Sequence, residues 1–274
     1  LLLFFITGTL FYFIALYGFY YYKKYLKSDT FYLYAVFAIL LINFFALYPI
    51  ISYAGWPHNH ESLSFRSRML IYVYHIRMGD VFPYWSSTRS DSGGLGIPLP
   101  LFYHKLFYYV SAFWFILINH VKGATLLTIF SFNIIGITGV YKIGQLFSCS
   151  KFNSLLISLT IVFLNYTITN WWVRGAMAEY SAMMLVPSLI YWELYFIIHK
   201  RFSWSLPIVI ILLFLAHNII AFYAVFSVAF AFLIVLFNNY SITFIKYLIP
   251  KIFFSLLLVA MVLSYYFIPM LLIS

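Results

Sequence analysis

Three carboxylates in this chain stand close to basic side chains in otherwise greasy surroundings. Glu61 follows His60 in "HNHE", Asp80 closes the stretch "HIRMGD" that begins at His75, and Glu179 shares "WWVRGAMAEY" with Arg174. A further polar pair, His217 and Asn218, interrupts a long apolar run. A carboxylate such as Glu61 or Asp80 can take a proton from a hydroxyl nucleophile as a general base. Guanidiniums, here Arg66, Arg77 and Arg174, hold and stabilise a departing phosphate through charge-assisted hydrogen bonds. Together with His and Asn donors, such a set suits displacement of a phosphate leaving group from a lipid-tethered donor. A Ser-His-Asp hydrolase is not indicated, because no G-x-S-x-G motif is present. "SGGLGIP" is no phosphate cradle either, since it lies between irregular segments instead of between a strand and a helix.

Each of these residues also has a plainer reading. Glu61 is favourable near the start of the helix that follows it. Arg174 and Glu179 form a structural ion pair at a helix end, with Trp171 and Trp172 as interfacial anchors. Arg66, Arg68 and Arg77 anchor to lipid headgroups. His217 is a hydrogen-bonded core residue, and the His58/His60 pair lacks the further ligands that a metal site needs.

The elements that must position these residues are set by the solvent. The chain has 274 residues, of which 65% are hydrophobic, 24% aromatic and only 8% charged. A water-soluble domain carries roughly a quarter of its residues charged, so this one belongs in a bilayer. Helical spans need about 20 apolar residues, and they are expected at Leu1–Tyr22, Phe31–Tyr53, Ala124–Phe147, Phe152–Thr169 and Ala182–Ile198. A long stretch, Leu206–Phe237, follows, and a last span begins near Pro250. No alternating barrel pattern is present. The formal charge of +10 is topological, with no basic tail to suggest nucleic acid. Cys149 is the sole cysteine, so no internal disulfide is possible; it reads as a packing residue at a helix end. The chain opens without Met and stops inside an apolar run, so a piece of a longer protein is expected.

Lysine and arginine collect in cytoplasmic loops. Lys23, Lys24 and Lys27, then Lys142 and Lys151, then His199 to Arg201, then Lys246 and Lys251 should therefore share one side. That parity requires Leu101–His120 to lie in the interface or dip in partway without crossing. It also breaks Leu206–Phe237, whose 32 residues would rise about 48 Å against a hydrocarbon core of about 30 Å. "AHN" at Ala216–Asn218 is the expected hinge. The loop 54–122, "WWVRGAMAEY" and His217–Asn218 then meet on the opposite, exterior side. Within that loop, Leu63 to Ile76 reads as an amphipathic helix with its arginines along the wet face. Three of the six acids (Glu61, Asp80, Asp91) and four of the six arginines (Arg66, Arg68, Arg77, Arg89) fall in it.

The order of these pieces resembles a known class. An acid soon after a span, "H-x-x-x-GD-FP-W" (His75, Gly79, Asp80, Phe82, Pro83, Trp85), "G-G-x-G-x-P" and "FYHKLFYY" resemble the first exterior loop of GT-C membrane glycosyltransferases. "TGVYKIGQLF", "WWVRGAMAEYSAMMLVP" and "LAHNIIA" extend the likeness over about Gly55 to Ala221. The nearest likeness is to the bacterial membrane family labelled "6-pyruvoyl-tetrahydropterin synthase-related", though nothing in the chain resembles a pterin enzyme's zinc histidine cluster. The resemblance implies sugar transfer from a polyprenyl-phosphate donor on the non-cytoplasmic side. His60–Glu61 stands at the family's His-Asp pair, with Glu replacing Asp, and Glu179 at the second acidic position. Metal use varies in the class, so a divalent cation on Glu61 and Glu179 is a possible cofactor.

The expected architecture is an all-α polytopic membrane protein, one transmembrane domain over residues 1–274 with an exterior loop at 54–122 that contains interfacial helices. The expected location is a bacterial inner membrane with the active face exterior. The expected partners are the bilayer, a polyprenyl-phosphate-linked sugar and an acceptor of unspecified kind, without nucleic acid. His60, Arg66, His75, Arg77, Arg174, His217 and Asn218 are expected to bind substrate, and Glu61, Asp80 and Glu179 to act in catalysis. A lipid-linked glycan transporter and a non-catalytic scaffold are the competing readings.

Overall fold

The computed structural model describes residues 28–56, 59–86, 96, 98–238 and 241–273. The expected span Leu1–Tyr22, Lys23, Lys24, Lys27, His58, Arg89 and Asp91 lie outside the described residues. In chain order the helices are α1 (Ser28–Ser52), α2 (Ser62–Arg77), the short α3 (Leu99–Phe102), α4 (Leu106–Ile118) and α5 (Val121–Leu146). They continue with α6 (Lys151–Leu159), α7 (Asn165–Ile168), α8 (Met177–His199), α9 (Ser205–Ala216), α10 (Asn218–Asn238) and α11 (Ile242–Ile273). Among the described residues, five segments are long and apolar enough to cross a bilayer: Phe31–Ser52, Val121–Leu146, Met177–His199, Asn218–Asn238 and Ile242–Tyr265. The chain is an integral, multi-pass, all-α membrane protein.

Lys122, at the start of α5, donates to the carbonyls of Ile51 and Tyr53 at the end of α1, so the segment between them leaves and returns at one end of the bundle. Within it α4 has 13 residues, a rise of about 20 Å. It does not lie on lipid alone, however. Phe107, Tyr108, Ser111 and Ala112 are buried against α2, α5, α8 and α9. The chain breaks at His217, whose extended backbone (φ −166°, ψ 112°) separates α9 from α10 where the hinge was expected.

Two expected spans are corrected. Phe152–Thr169 is not one helix: α6 passes into a 3-10 turn at Thr160–Phe163, and α7 into a π turn at Thr169–Arg174, with a 42° bend between the halves. Hydroxyls at the break bond carbonyls of their own chain, as they also do inside the unbroken α5. Ser158 donates to Leu155 O (2.7 Å), Thr160 to Ile157 O (2.7 Å) and Thr167 to Ile161 O (3.1 Å). The last span does not begin near Pro250. It starts at Ile242 and carries Pro250 inside it, since transmembrane helices tolerate a proline whose freed groups find other partners.

Two features hold the bundle. Asn133 donates to Asn43 Oδ1 (2.7 Å) and accepts from the Tyr180 hydroxyl (2.6 Å), joining α5 to α1 and α8. All three are buried, and a polar network between helices needs such complete pairing in a dry interior. α5 also carries Gly136 and Gly139 against α8, where a Cβ on Gly139 would stand 2.7 Å from Ser188 N and 2.8 Å from the Pro187 carbonyl carbon. Small residues at such crossings let backbones approach closely. Gly139→Val should therefore push α5 from α8, costing about 1–3 kcal/mol and several degrees of thermal midpoint in detergent. Gly55→Ala, which meets only Tyr53 Cε1 at 3.7 Å, should leave the midpoint unchanged.

Candidate functional site

The loop after α1 and the turn between α7 and α8 fold against each other. Asn59 donates its amide to Trp171 O (3.4 Å), and the His60 N–H donates to Val173 O (3.5 Å). Gly175 makes this contact possible. Its φ of +71° favours a residue without Cβ, and a Cβ there would stand 2.5 Å from Asn59 Oδ1. The segments that carry Glu61 and Glu179 are thereby held against each other.

Each acid holds its own arginine. Arg68 Nη1 donates to Glu61 Oε2 at 2.8 Å, and Tyr103 donates to the same oxygen at 3.3 Å. The Arg68 guanidinium also lies 3.8 Å over the Tyr103 ring and donates to the Tyr108 hydroxyl at 3.4 Å. Glu61 is the residue before α2; its side chain makes no capping bond, and its charge stands at that helix's N-terminus. Arg174 Nη2 pairs with Glu179 Oε2 at 2.8 Å, and its Nη1 donates to Asn170 Oδ1 at 2.7 Å. The Tyr166 hydroxyl donates to Glu179 Oε1. Arg174 remains 40% exposed against 15% for Glu179, so the guanidinium is the part an incoming anion can reach.

His217 and Asn218 join this cluster through a residue that sequence reasoning did not single out as a site. The His104 and His217 rings stack at 4.4 Å between centroids, and the Asn218 N–H donates to His104 Nδ1 at 3.4 Å. Nδ1 being the acceptor, His104 is neutral with its proton on Nε2. Next to it, the Lys105 N–H donates to Leu215 O (2.8 Å). The Lys105 side chain is buried, its ammonium 4.1 Å from the centre of the Tyr265 ring, and burial lowers that ammonium's pKa to about 8.

The structure therefore gathers Glu61, Arg174, Glu179, His217 and Asn218, with His60 contributing its backbone, at one end of the bundle. Four expected members sit elsewhere. His75 Nδ1 and Asp80 Oδ2 pair at 2.9 Å, and His75 lies fourteen residues past Glu61 along α2, about 21 Å. Asp80 is thus set apart from Glu61. Arg77 is exposed near the Phe115 ring (5.8 Å), and Arg66 faces a separate cavity. Of the arginines expected on the wet face of α2, Arg68 turns inward with only 14% of its side chain exposed. It stands seven residues after Glu61, two helical turns and hence the same face, a spacing visible in the sequence. Among the described residues, no three His, Cys, Asp or Glu side chains gather to hold a metal. Glu61 and Glu179 each face an arginine, and this donor set does not fit a divalent cation held by the protein alone.

Lys142, Lys151 and the turn after α8 lie toward the other end. Lys151 lies 5.5 Å from the Tyr32 ring and Lys142 5.4 Å from Tyr191, while the turn after α8 carries His199 to Arg201. No protein family, curated protein or solved structure matches this chain.

The stacked imidazoles generate a pH prediction. His104 is lowered to about 4, first by burial and then by His217 and Arg68; His217 is lowered by burial and by Arg174. An unfolded chain would bind these protons at the ordinary value of 6.5. Between about pH 4 and 6.5 the folded state holds fewer protons, so stability rises with pH across that window. The thermal midpoint should be full above pH 6.5 and fall toward pH 4. His104→Gln should flatten the profile; an unchanged slope would assign the effect to other groups.

Proposed function

We propose that the chain is a glycosyltransferase that moves a sugar from a polyprenyl-phosphate donor to an acceptor on the non-cytoplasmic face of a bacterial inner membrane. The observation that carries this reading is the packing of the Glu61 segment against the Glu179 segment, each acid beside an arginine, at the bundle end away from Lys142, Lys151 and Arg201. The residue pattern shared with GT-C enzymes supports it independently.

In this reading the Glu61 carboxylate, 35% exposed, takes the proton from an acceptor hydroxyl. As that proton leaves, the hydroxyl oxygen bonds to the anomeric carbon and the bond from that carbon to the phosphate oxygen breaks. The electron pair departs with polyprenyl phosphate, whose added negative charge is met by the accessible Arg174. Glu179 and Asn170 hold that guanidinium in place. Arg68 and Tyr103 fix the Glu61 oxygen that they bond, leaving its other oxygen toward the acceptor. Positioned groups of this kind contribute through electrostatic preorganisation.

The paired state of both acids also suits a scaffold in which they only brace the fold. A transporter would need a polar path through the spans. Glu193, a buried acid between α8 and α10, accepts from the Ser227 hydroxyl on Oε2 at 2.8 Å and has Oε1 buried without a partner among the described residues; one such acid does not make a path.

Transfer of radiolabelled sugar from a polyprenyl-phosphate donor in reconstituted vesicles separates these readings. Glu61→Gln should lower turnover by about 100-fold or more with membrane insertion intact, and undiminished turnover would remove Glu61 as the base. Sidedness is a separate check, made with single cysteines at the exposed Val81 and Phe147 in a Cys149→Ser background. An impermeant maleimide should reach Val81 from outside and Phe147 only from the cytoplasm; the reverse would refute the exterior site.

A further inference from the structure

A cavity of about 500 Å³ opens on a different side of α2 from the paired carboxylates. Its wall includes Trp56, just past the end of α1, Phe65 and Arg66 on α2, Phe115 on α4, and His120 and Lys122 at the start of α5. Arg66 is two residues from the inward-turned Arg68, about 200° around the helix at 3.6 residues per turn, so the two guanidiniums serve opposite faces.

The lining offers donors and no acid. Arg66 is exposed and, among the described residues, pairs with no carboxylate. Lys122 is fixed at the rim by donating to the carbonyls of Ile51 (3.3 Å) and Tyr53, with a third N–H left over. His120 accepts the Gly123 N–H on Nδ1 (3.1 Å), which leaves Nε2 as its donor. Two cations and one neutral donor without a carboxylate select an anion. The apolar faces of Phe115 and Trp56, the latter packed 4.9 Å from the buried Phe65 ring, select an amphiphile.

Position narrows the occupant. The cavity lies where two spans, Phe31–Ser52 and Val121–Leu146, end and begin, which is the level of lipid headgroups. Its volume falls within the roughly 300–1,000 Å³ of small-molecule sites. We propose that this cavity is a binding site for the phosphate headgroup of an anionic glycerophospholipid, separate from the Glu61–Glu179 cluster. The lipid phosphate sits between Arg66 and Lys122 and runs its glycerol backbone over Phe115.

Native mass spectrometry of the detergent-purified chain tests this with phosphatidylglycerol and phosphatidylcholine as probes. One phosphatidylglycerol should be retained in preference to phosphatidylcholine, and Arg66→Gln should weaken its retention about fivefold, the contribution of one basic side chain near an anionic surface. Arg66→Lys should restore most of it. Equal retention of the two lipids, or no loss in Arg66→Gln, would overturn the proposal. Displacement by millimolar inorganic phosphate would assign the cavity to a soluble anion, and displacement by polyprenyl phosphate would make it part of the donor site; either overturns a separate lipid site. Sugar transfer is not read in this experiment, so its result stands apart from that of the Glu61→Gln assay.

Discussion

A backbone N–H or C=O freed from its helix has no water to turn to inside a bilayer, and this constraint shapes the molecule. Every interruption of a helix releases such groups, and here the interruptions satisfy one another. The N–H of Lys105 is taken by the carbonyl of Leu215, and that of Asn218 by the His104 ring. The N–H of His60 goes to Val173, and the Trp171 carbonyl receives the Asn59 amide. Breaks far apart in the chain must meet for this to work. The polar side chains that flank them are carried to the same place as a result. The clustering of Glu61, Arg174, Glu179, His104 and His217 thus follows from backbone pairing, whatever chemistry the cluster performs.

The ion pairs then have a double character. Taken out of water, a carboxylate and a guanidinium stabilise each other only with good geometry and further hydrogen bonds. Arg68 meets that demand with Tyr103 and Tyr108, and Arg174 meets it with Asn170. The two pairs differ in access: Arg68 is enclosed, whereas Arg174 is open on one side. That asymmetry separates a residue that steadies an acid from one that can receive an anion.

Much of the fold was legible because the bilayer imposes lengths and the lysines impose sides. The short α4, the break at His217 and the opposed placement of Lys142 and Lys151 all follow from those two rules. What escaped was the face of α2 that turns inward. Arg68 lies in register with Phe65 and Tyr72 at helical spacing, yet a cation among buried residues contradicts composition unless Glu61, Tyr103 and Tyr108 are known to surround it. The bend between α6 and α7 escaped for a related reason, since a serine or threonine bonds a carbonyl of its own chain in bent and unbroken helices alike. Pro250 escaped because proline usually stops a helix in water and need not do so between neighbouring spans. His104 was visible as a polar residue in "FYHKLFYY", but its role depends on Asn218, more than a hundred residues away.

The short α9 has an effect on the surrounding lipid. Its twelve residues rise about 18 Å, well under a slab of about 30 Å, and Ile208 on it is half exposed. Acyl chains abutting that column meet a wall shorter than themselves and must tilt or thin, at a cost of fractions of a kcal/mol per Å of mismatch. The preference of this protein among membranes of unequal thickness is therefore decided along one truncated flank, while the full-length helices around it tolerate the change.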